Sequence, residues 1–541
     1  MNDIDHKKIL ADRFASRLAA SLGRRTVLKG IGAGMIAAGS VSQGFLSQPA
    51  RAADGGHIRI AALKHIDTLD PHFTGFLASI QVINNIHNGL LKITYKDGAV
   101  KFEPDLAESW DLEDDKTHVF KLRDGVKFHD GTVCDAEAVK FSLLRVKEGE
   151  PKSPHAWKLA LLETIEILDP LTIKLTFSKP YAFLPVALNG STGRAGTVGS
   201  PAAVQKHGKD YGRNPVGTGP FKFVSWREND SIELEKNPDY FEDGLPLLDK
   251  VSFIMMKEPS SAVAALMAGQ IDGMTDCPMQ LVSQVDAFPG AKLYGEIEGN
   301  YTYVGMNTRR APFDDINLRL AVAWGLDRET LLKQAYFGRA IQSYTPISPP
   351  MSDFYDPNIA TSGRGQWFDP DKAQAFRAKA TNQNEIEVTY MMAERGPVGT
   401  RIAQTVAPML AKIGIKAKLE LVEPATWVQR RNGGDFDLFD FEWVADLDPD
   451  ETLYPEFKSG GPWNFPGWSN ADFDKYCEEA QVVLDPAKRR ELYYKAEDIL
   501  MAEAPIAMMA HMPIYKVFST KVQGFQYIPA DLINLHTVSL A

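Results

Sequence analysis

Cysteine is scarce: Cys134, Cys277 and Cys477 are the only three in 541 residues. Scattered thiols in that number cannot staple a small scaffold or complete a zinc site, and of the one bridge they could form we expect none. Catalytic signatures are missing as well. There is no His-Glu-x-x-His, no Gly-x-Ser-x-Gly elbow, and no metal spacing among His57, His65, His72, His87, His118 and His129. Gly217-Thr218-Gly219-Pro220 lacks the Lys-Ser/Thr of a phosphate loop and reads as a tight turn. No assembled nucleophile and base emerges, so a hydrolase is the least supported function class, and no cofactor is expected. Positive charge is in deficit too. The first 52 residues carry eight basic and three acidic side chains, which leaves the remainder near −16 against −11 for the whole chain. Nucleic acid and anionic membrane both need a cationic surface, so neither is expected as a partner.

What is present begins with an export signal. Gly23-Arg24-Arg25-Thr26-Val27-Leu28-Lys29 precedes an uncharged run from Gly30 to about Phe45 that is too short and glycine-rich to span a bilayer. Ala50-Arg51-Ala52 has the small-x-small form of a cleavage site, placing the mature start at Ala53. The arginine pair resembles the twin-arginine pattern, with Gly23 and Val27 in place of its usual Ser and Phe; a general secretory signal is the simpler alternative. With no cysteine at the cleavage point, a soluble periplasmic protein without direct membrane insertion is expected.

The mature length exceeds what one core supports, so two or more domains are expected. Period-two alternation predicts strands at Ile58-Ile60, Val119 to Leu122, Leu171 to Phe177, Ile232-Leu234 and Val251 to Met255. Ile386 to Met391, Val398 to Ile413 and Ile415 to Leu421 read as strand, helix and strand, with Gly414 just past the helix. Asp472 to Ala504 reads as two helices broken near Asp485-Pro486. The fold class is α/β. Asp369-Pro370 is an N-cap with proline in the first turn, and Phe128 a core anchor. Asp446 to Glu451 starts like a calcium loop, yet Glu451 stands where glycine must turn and Phe457 where a bidentate glutamate must bind. Asp448 before Pro449 is better read as a helix N-cap.

An ordered series of motifs then becomes recognisable: Leu69-Asp70-Pro71, Asn88-Gly89-Leu90-Leu91, Leu106 to Trp110, Phe120 to Thr132, Val216 to Phe221, Gly305-Met306-Asn307, Pro312 to Asp315, Trp443 to Asp450 and Asn464-Phe465. Together they resemble the family 5 extracellular solute-binding proteins of ABC importers, which bind dipeptides, oligopeptides or nickel. The resemblance implies a type II-like periplasmic binding protein with two lobes, a hinge and an inserted small domain. We map a signal at 1–52, lobe I at 53–87, 179–298 and 511–541, the insert at 88–178, and lobe II at 299–510. Hinges are expected near Gly299-Asn300-Tyr301 and Met509-Ala510-His511.

The resemblance also implies a role: capture of a peptide-like or cationic solute between the lobes and delivery to the permease subunits, by a monomer. Nickel or haem binding, or a periplasmic sensor or chaperone-like role, are the alternatives. In peptide-binding members an Asp matching Asp446 receives the peptide ammonium, and Trp443-Val444-Ala445-Asp446 keeps the spacing. Trp443, Trp463, Phe465 and Trp468 are expected to line the cleft. Asn300 and Tyr301 lie at the hinge, where side chain or carbonyl can meet ligand. His155 stands where oligopeptide binders carry a ligand-contacting Tyr. Arg431 falls near a carboxylate-binding Arg, while Asp440 replaces a second one, which makes the site more acidic and favours a ligand of net positive character.

Overall fold

The structure is a computed structural model, described here for residues 55–96, 99–192, 194–393, 397–444 and 447–541. The signal and cleavage site expected within 1–52 lie outside the described residues.

Two large sheets organise the chain. In the first, Phe221–Arg227, Ser231–Lys236, Lys250–Met255, His57–Ala62, Gly273–Met274, Lys516–Ser519 and Ala291–Tyr294 follow one another across seven strands. In the second, Ile341–Gln342, Ile506–His511, Asn300–Met306, Leu438–Val444, Ile386–Ala393 and Ile415–Val422 make six. A four-stranded antiparallel sheet of Ala107–Leu112, Thr117–Leu122, Thr172–Phe177 and Leu162–Asp169 forms a third, smaller body with the helix Ala136–Glu148. Every strand predicted from alternation is a strand here. Among the described residues no helix is long and apolar enough to cross a membrane.

Alternation explains how the six-stranded sheet is covered on both faces. Tyr301 and Tyr303 point into one apolar cluster with Phe439, Trp443 and Met508, while Val304 and Met306 point into another with Leu438 and Met509. The predicted β-α-β unit is there: Ile386–Ala393 pairs in parallel with Ile415–Val422, joined through the helix Pro397–Lys412 and Gly414 at φ +71°. The two late helices are Ala471–Val482 and Pro486–Glu503. Asp369 caps its helix by accepting from the Lys372 amide, with Pro370 next in line, and Phe128 is buried.

The chain passes between the two large sheets twice, from Tyr294 to Asn300 and from His511 to Lys516. The crossings are tied together. His511 Nδ1 donates to the Asn300 carbonyl at 2.9 Å, and the Met512 amide donates to Asn300 Oδ1 at 3.1 Å.

Candidate functional site

Where the sheets face each other, the seven-stranded lobe contributes the end of its strand His57–Ala62. Beyond it, Lys64 Nζ lies 2.7 Å from Asp276 and 3.9 Å from Asp531. Lys64 is exposed along its length, and the charges of Asp276, Asp531 and, from the other lobe, Glu442 raise its pKa, so it is a cation held among acids. His65 meets Phe76 edge-on at 5.8 Å, and Phe76 is one of the few large apolar side chains left exposed.

His155 is buried behind this strip, and its Nε2 donates to the Thr74 carbonyl at 2.8 Å. Burial, then the charges of Arg194 and Lys158, hold it well below the usual histidine range. The ring is therefore neutral, with Nδ1 bare and closed off without a partner among the described residues. Trp157 stacks on Phe183 at 5.6 Å and reaches Tyr454 of the six-stranded lobe at 6.4 Å. Lys158 Nζ lies 3.2 Å from Glu451 Oε2, both side chains withdrawn from water. The Ala182 amide donates to the Gln481 carbonyl at 2.9 Å. These contacts join the smaller body to the six-stranded lobe.

On the six-stranded lobe the strand Leu438–Val444 supplies the wall. Trp443 pairs in register with Tyr301, and Val444 with Asn300. Trp443 is buried 5.3 Å from the half-buried Trp463, and its indole N–H is closed off with no partner among the described residues. Ala445 and Asp446 lie outside the described residues. Directly after them Leu447 has φ +62°, a left-handed backbone that costs a leucine energy and is kept where surroundings over-determine it. A groove of about 390 Å³ opens beside Leu447, walled by Phe102, Tyr181, Met351, Phe354 and Arg489.

Several expected contacts are placed elsewhere. The Tyr301 side chain lies in the core, which leaves only its carbonyl for the hinge contact expected of it: its hydroxyl donates to Glu456 and, at 3.1 Å, to the Thr452 carbonyl, because a strand this deeply covered turns that side chain inward. Asp440 is buried opposite Val304, an odd offset from Trp443, and so faces the other side of the sheet. The Arg431 guanidinium sits over Phe465, its carbon 3.8 Å from the ring centroid, and donates to Asn432 Oδ1 at 2.9 Å. That stacking covers Phe465 with a neighbour from its own lobe. Trp468 likewise leaves the cleft, donating to Glu503 at 2.6 Å. Asn300 keeps its junction, with Nδ2 donating to Glu442 at 3.4 Å. Asp448 is the helix N-cap expected, accepting from the Asp450 amide at 2.8 Å.

Sequence reasoning passed over Lys64, Lys158 and Arg194. A single lysine carries no pattern; Arg194 had one weak signal, glycines at 190, 193 and 196 in the surrounding sequence.

The model of the bacterial extracellular solute-binding proteins, family 5, matches residues 101–465. The glutathione-binding protein GsiB of Escherichia coli is 28% identical over 489 residues, covering 87% of this chain and 92% of its own. The Helicobacter pylori periplasmic binding protein DppA, solved with the peptide STSA, superposes with a TM-score of 0.80 at 27% identity, over 90% of this chain and 98% of that one. AgaA of A. tumefaciens R10, solved with agropinic acid, gives 0.80 at 25%, over 90% and 99%. The chain thus belongs to the bacterial extracellular solute-binding proteins of family 5, a two-lobed solute-binding component of an ABC importer and not an enzyme.

Proposed function

We propose that this protein captures a small peptide-like or cationic solute in the periplasm, after twin-arginine export, and presents it as a closed monomer to the permease. The lobes turn about the crossings near Asn300 and His511. Asp446 receives the ligand ammonium, since a desolvated cation needs an ionised partner. Trp443 and Trp463 supply the apolar wall.

The observation that carries this reading is the Trp443 indole: a buried N–H with no partner among the described residues, three positions before Asp446. A buried donor left open is costly unless something arrives to accept from it, and a peptide carbonyl does so. The ligands of the relatives narrow the choice, because glutathione and STSA both carry an ammonium, amides and a carboxylate.

Native purification followed by mass spectrometry identifies the retained solute, and calorimetric titration with glutathione, Ser-Thr-Ser-Ala and agropinic acid ranks the classes. A peptide-like molecule is expected in the first and the tightest binding from one of the peptides in the second. Retention of a neutral sugar or a bare metal ion would count against the reading.

A further inference from the structure

We infer that Arg194 is a specificity-determining residue of the cleft, its guanidinium receiving a carboxylate of the ligand. This rests on the proposed capture of a small solute between the lobes and adds the acidic half of its chemistry.

Five arginines are buried among the described residues, and four of them are fully committed. Arg489 grips Asp448. Arg319 donates to the carbonyls of Phe313, Asp314 and Glu503, Arg328 to those of Leu326 and Met508, and Arg377 to those of Ile413, Asn382 and Asn384. Arg194 is the exception. Only 7% exposed, it makes no ion pair or side-chain hydrogen bond among the described residues, and its Nε is closed off and unbonded. A buried cation without a partner is expensive, and a protein that keeps one commonly receives the partner from outside.

The backbone holds this cost in place. Arg194 has φ +57°, in the left-handed region. Its loop is pinned by Asn189 Oδ1, which accepts from the amides of Ser191 at 3.1 Å and Thr192 at 2.8 Å. It packs so tightly that a Cβ on Gly196 would meet the Leu188 carbonyl at 2.2 Å. The corner it occupies adjoins the cleft strip: the Thr197 amide donates to the Arg194 carbonyl at 3.3 Å, the Thr197 carbonyl accepts from His72 Nε2 at 2.8 Å, and two positions on, Thr74 accepts from His155 next to the exposed Phe76. His155 Nδ1, buried and unbonded among the described residues, is a second unsatisfied polar atom there. A planar guanidinium matches a carboxylate, and the neighbouring lone pair accepts an N–H from the same ligand, as an amide next to a terminal carboxylate offers.

Arg194→Met and Arg194→Gln test this with two readouts. Ligand-free Arg194→Met should melt no lower than wild type, because it removes an unpaired buried charge; a fall of several degrees would make Arg194 structural and overturn the inference. In titrations with Ser-Thr-Ser-Ala, glutathione and their C-terminal amides, wild type should prefer acid to amide by about tenfold or more. Arg194→Gln should lose that preference and retain less than about a tenth of the natively bound solute. Acid preference surviving in Arg194→Gln overturns the inference, as does a retained wild-type solute with no carboxylate. A retained solute that has a carboxylate but neither ammonium nor peptide bond, and is lost in Arg194→Gln, would sink the peptide-like reading while leaving Arg194 in its role.

Discussion

Arg489 donates through both terminal nitrogens to Asp448, at 2.7 and 2.8 Å, with both side chains almost out of water. Asp448 therefore caps a helix and neutralises a buried guanidinium at once. Loss of a cap alone costs about 1 kcal/mol. Asp448→Ala strands Arg489 as well, and breaking such a buried pair costs about 3 to 5 kcal/mol. Urea denaturation should show the larger loss. The double variant Asp448→Ala/Arg489→Met should recover part of it, because the stranded guanidinium is gone, and only part, because Asp450, 3.9 Å from Arg489, loses its neighbouring cation.

Buried carboxyls give the stability a pH dependence of definite sign. Burial pushes Glu456 up to about 8 against the Tyr301 and Tyr303 hydroxyls that donate to it, and Glu497 and Asp450 to about 7. Between the ordinary carboxyl range and these values the folded chain holds protons that the unfolded chain has released. Their contribution is thus fullest below about pH 4.5 and falls as pH rises toward 8. Each group adds up to about 1.4 kcal/mol per pH unit to that slope. Glu456→Gln should flatten the curve by about one such increment between pH 5 and 8, and an unchanged slope would show that Glu456 is already ionised in the fold.

Period-two and helical spacing carried the strands, the β-α-β unit and the late helix pair, because burial on a sheet or helix face writes itself directly into residue type. Side-chain direction at the strand ends was less accessible. Tyr301 looks like a hinge contact in sequence, yet which face it takes depends on the partner strand Leu438–Val444, seen only once the sheet is assembled. Arg431 and Phe465 are separated by 34 positions, and their stacking has no local signature. Arg194 shows the converse: its glycine-rich setting was visible, but its lack of partners is a property of the folded corner alone.

Lys158 and Glu451 form a buried pair between the smaller body and the six-stranded lobe. Because the partners sit on separate bodies, a protein that loses one can relieve the other by opening to water instead of unfolding. Lys158→Met should therefore enlarge the radius of gyration of the ligand-free protein in solution scattering and weaken binding, with ligand restoring the compact form. A variant with unchanged radius and a large loss of unfolding free energy would mean that the pair holds the fold and not the closure.

Asp446 is the residue on which the peptide-like reading turns. If it pairs with a ligand ammonium in a closed cleft, Asp446→Ala leaves that cation desolvated and unpaired. The penalty is about 3 to 5 kcal/mol, or on the order of a hundredfold or more in affinity. The fold should survive. Asp448 is the wrong control, since its pairing with Arg489 ties it to stability. Asp485 is a better one: exposed, it caps the helix Pro486–Glu503 by accepting from the amides of Ala487 and Lys488, at 2.9 and 3.1 Å. Asp485→Ala should cost about 1 kcal/mol of stability and leave binding untouched. Calorimetry of both variants with the natively retained solute separates the outcomes. Equal loss in both would place the effect in lobe stability. No loss in Asp446→Ala would mean that the ligand carries no cation at this position, leaving a neutral or anionic solute held by Trp443 and Trp463.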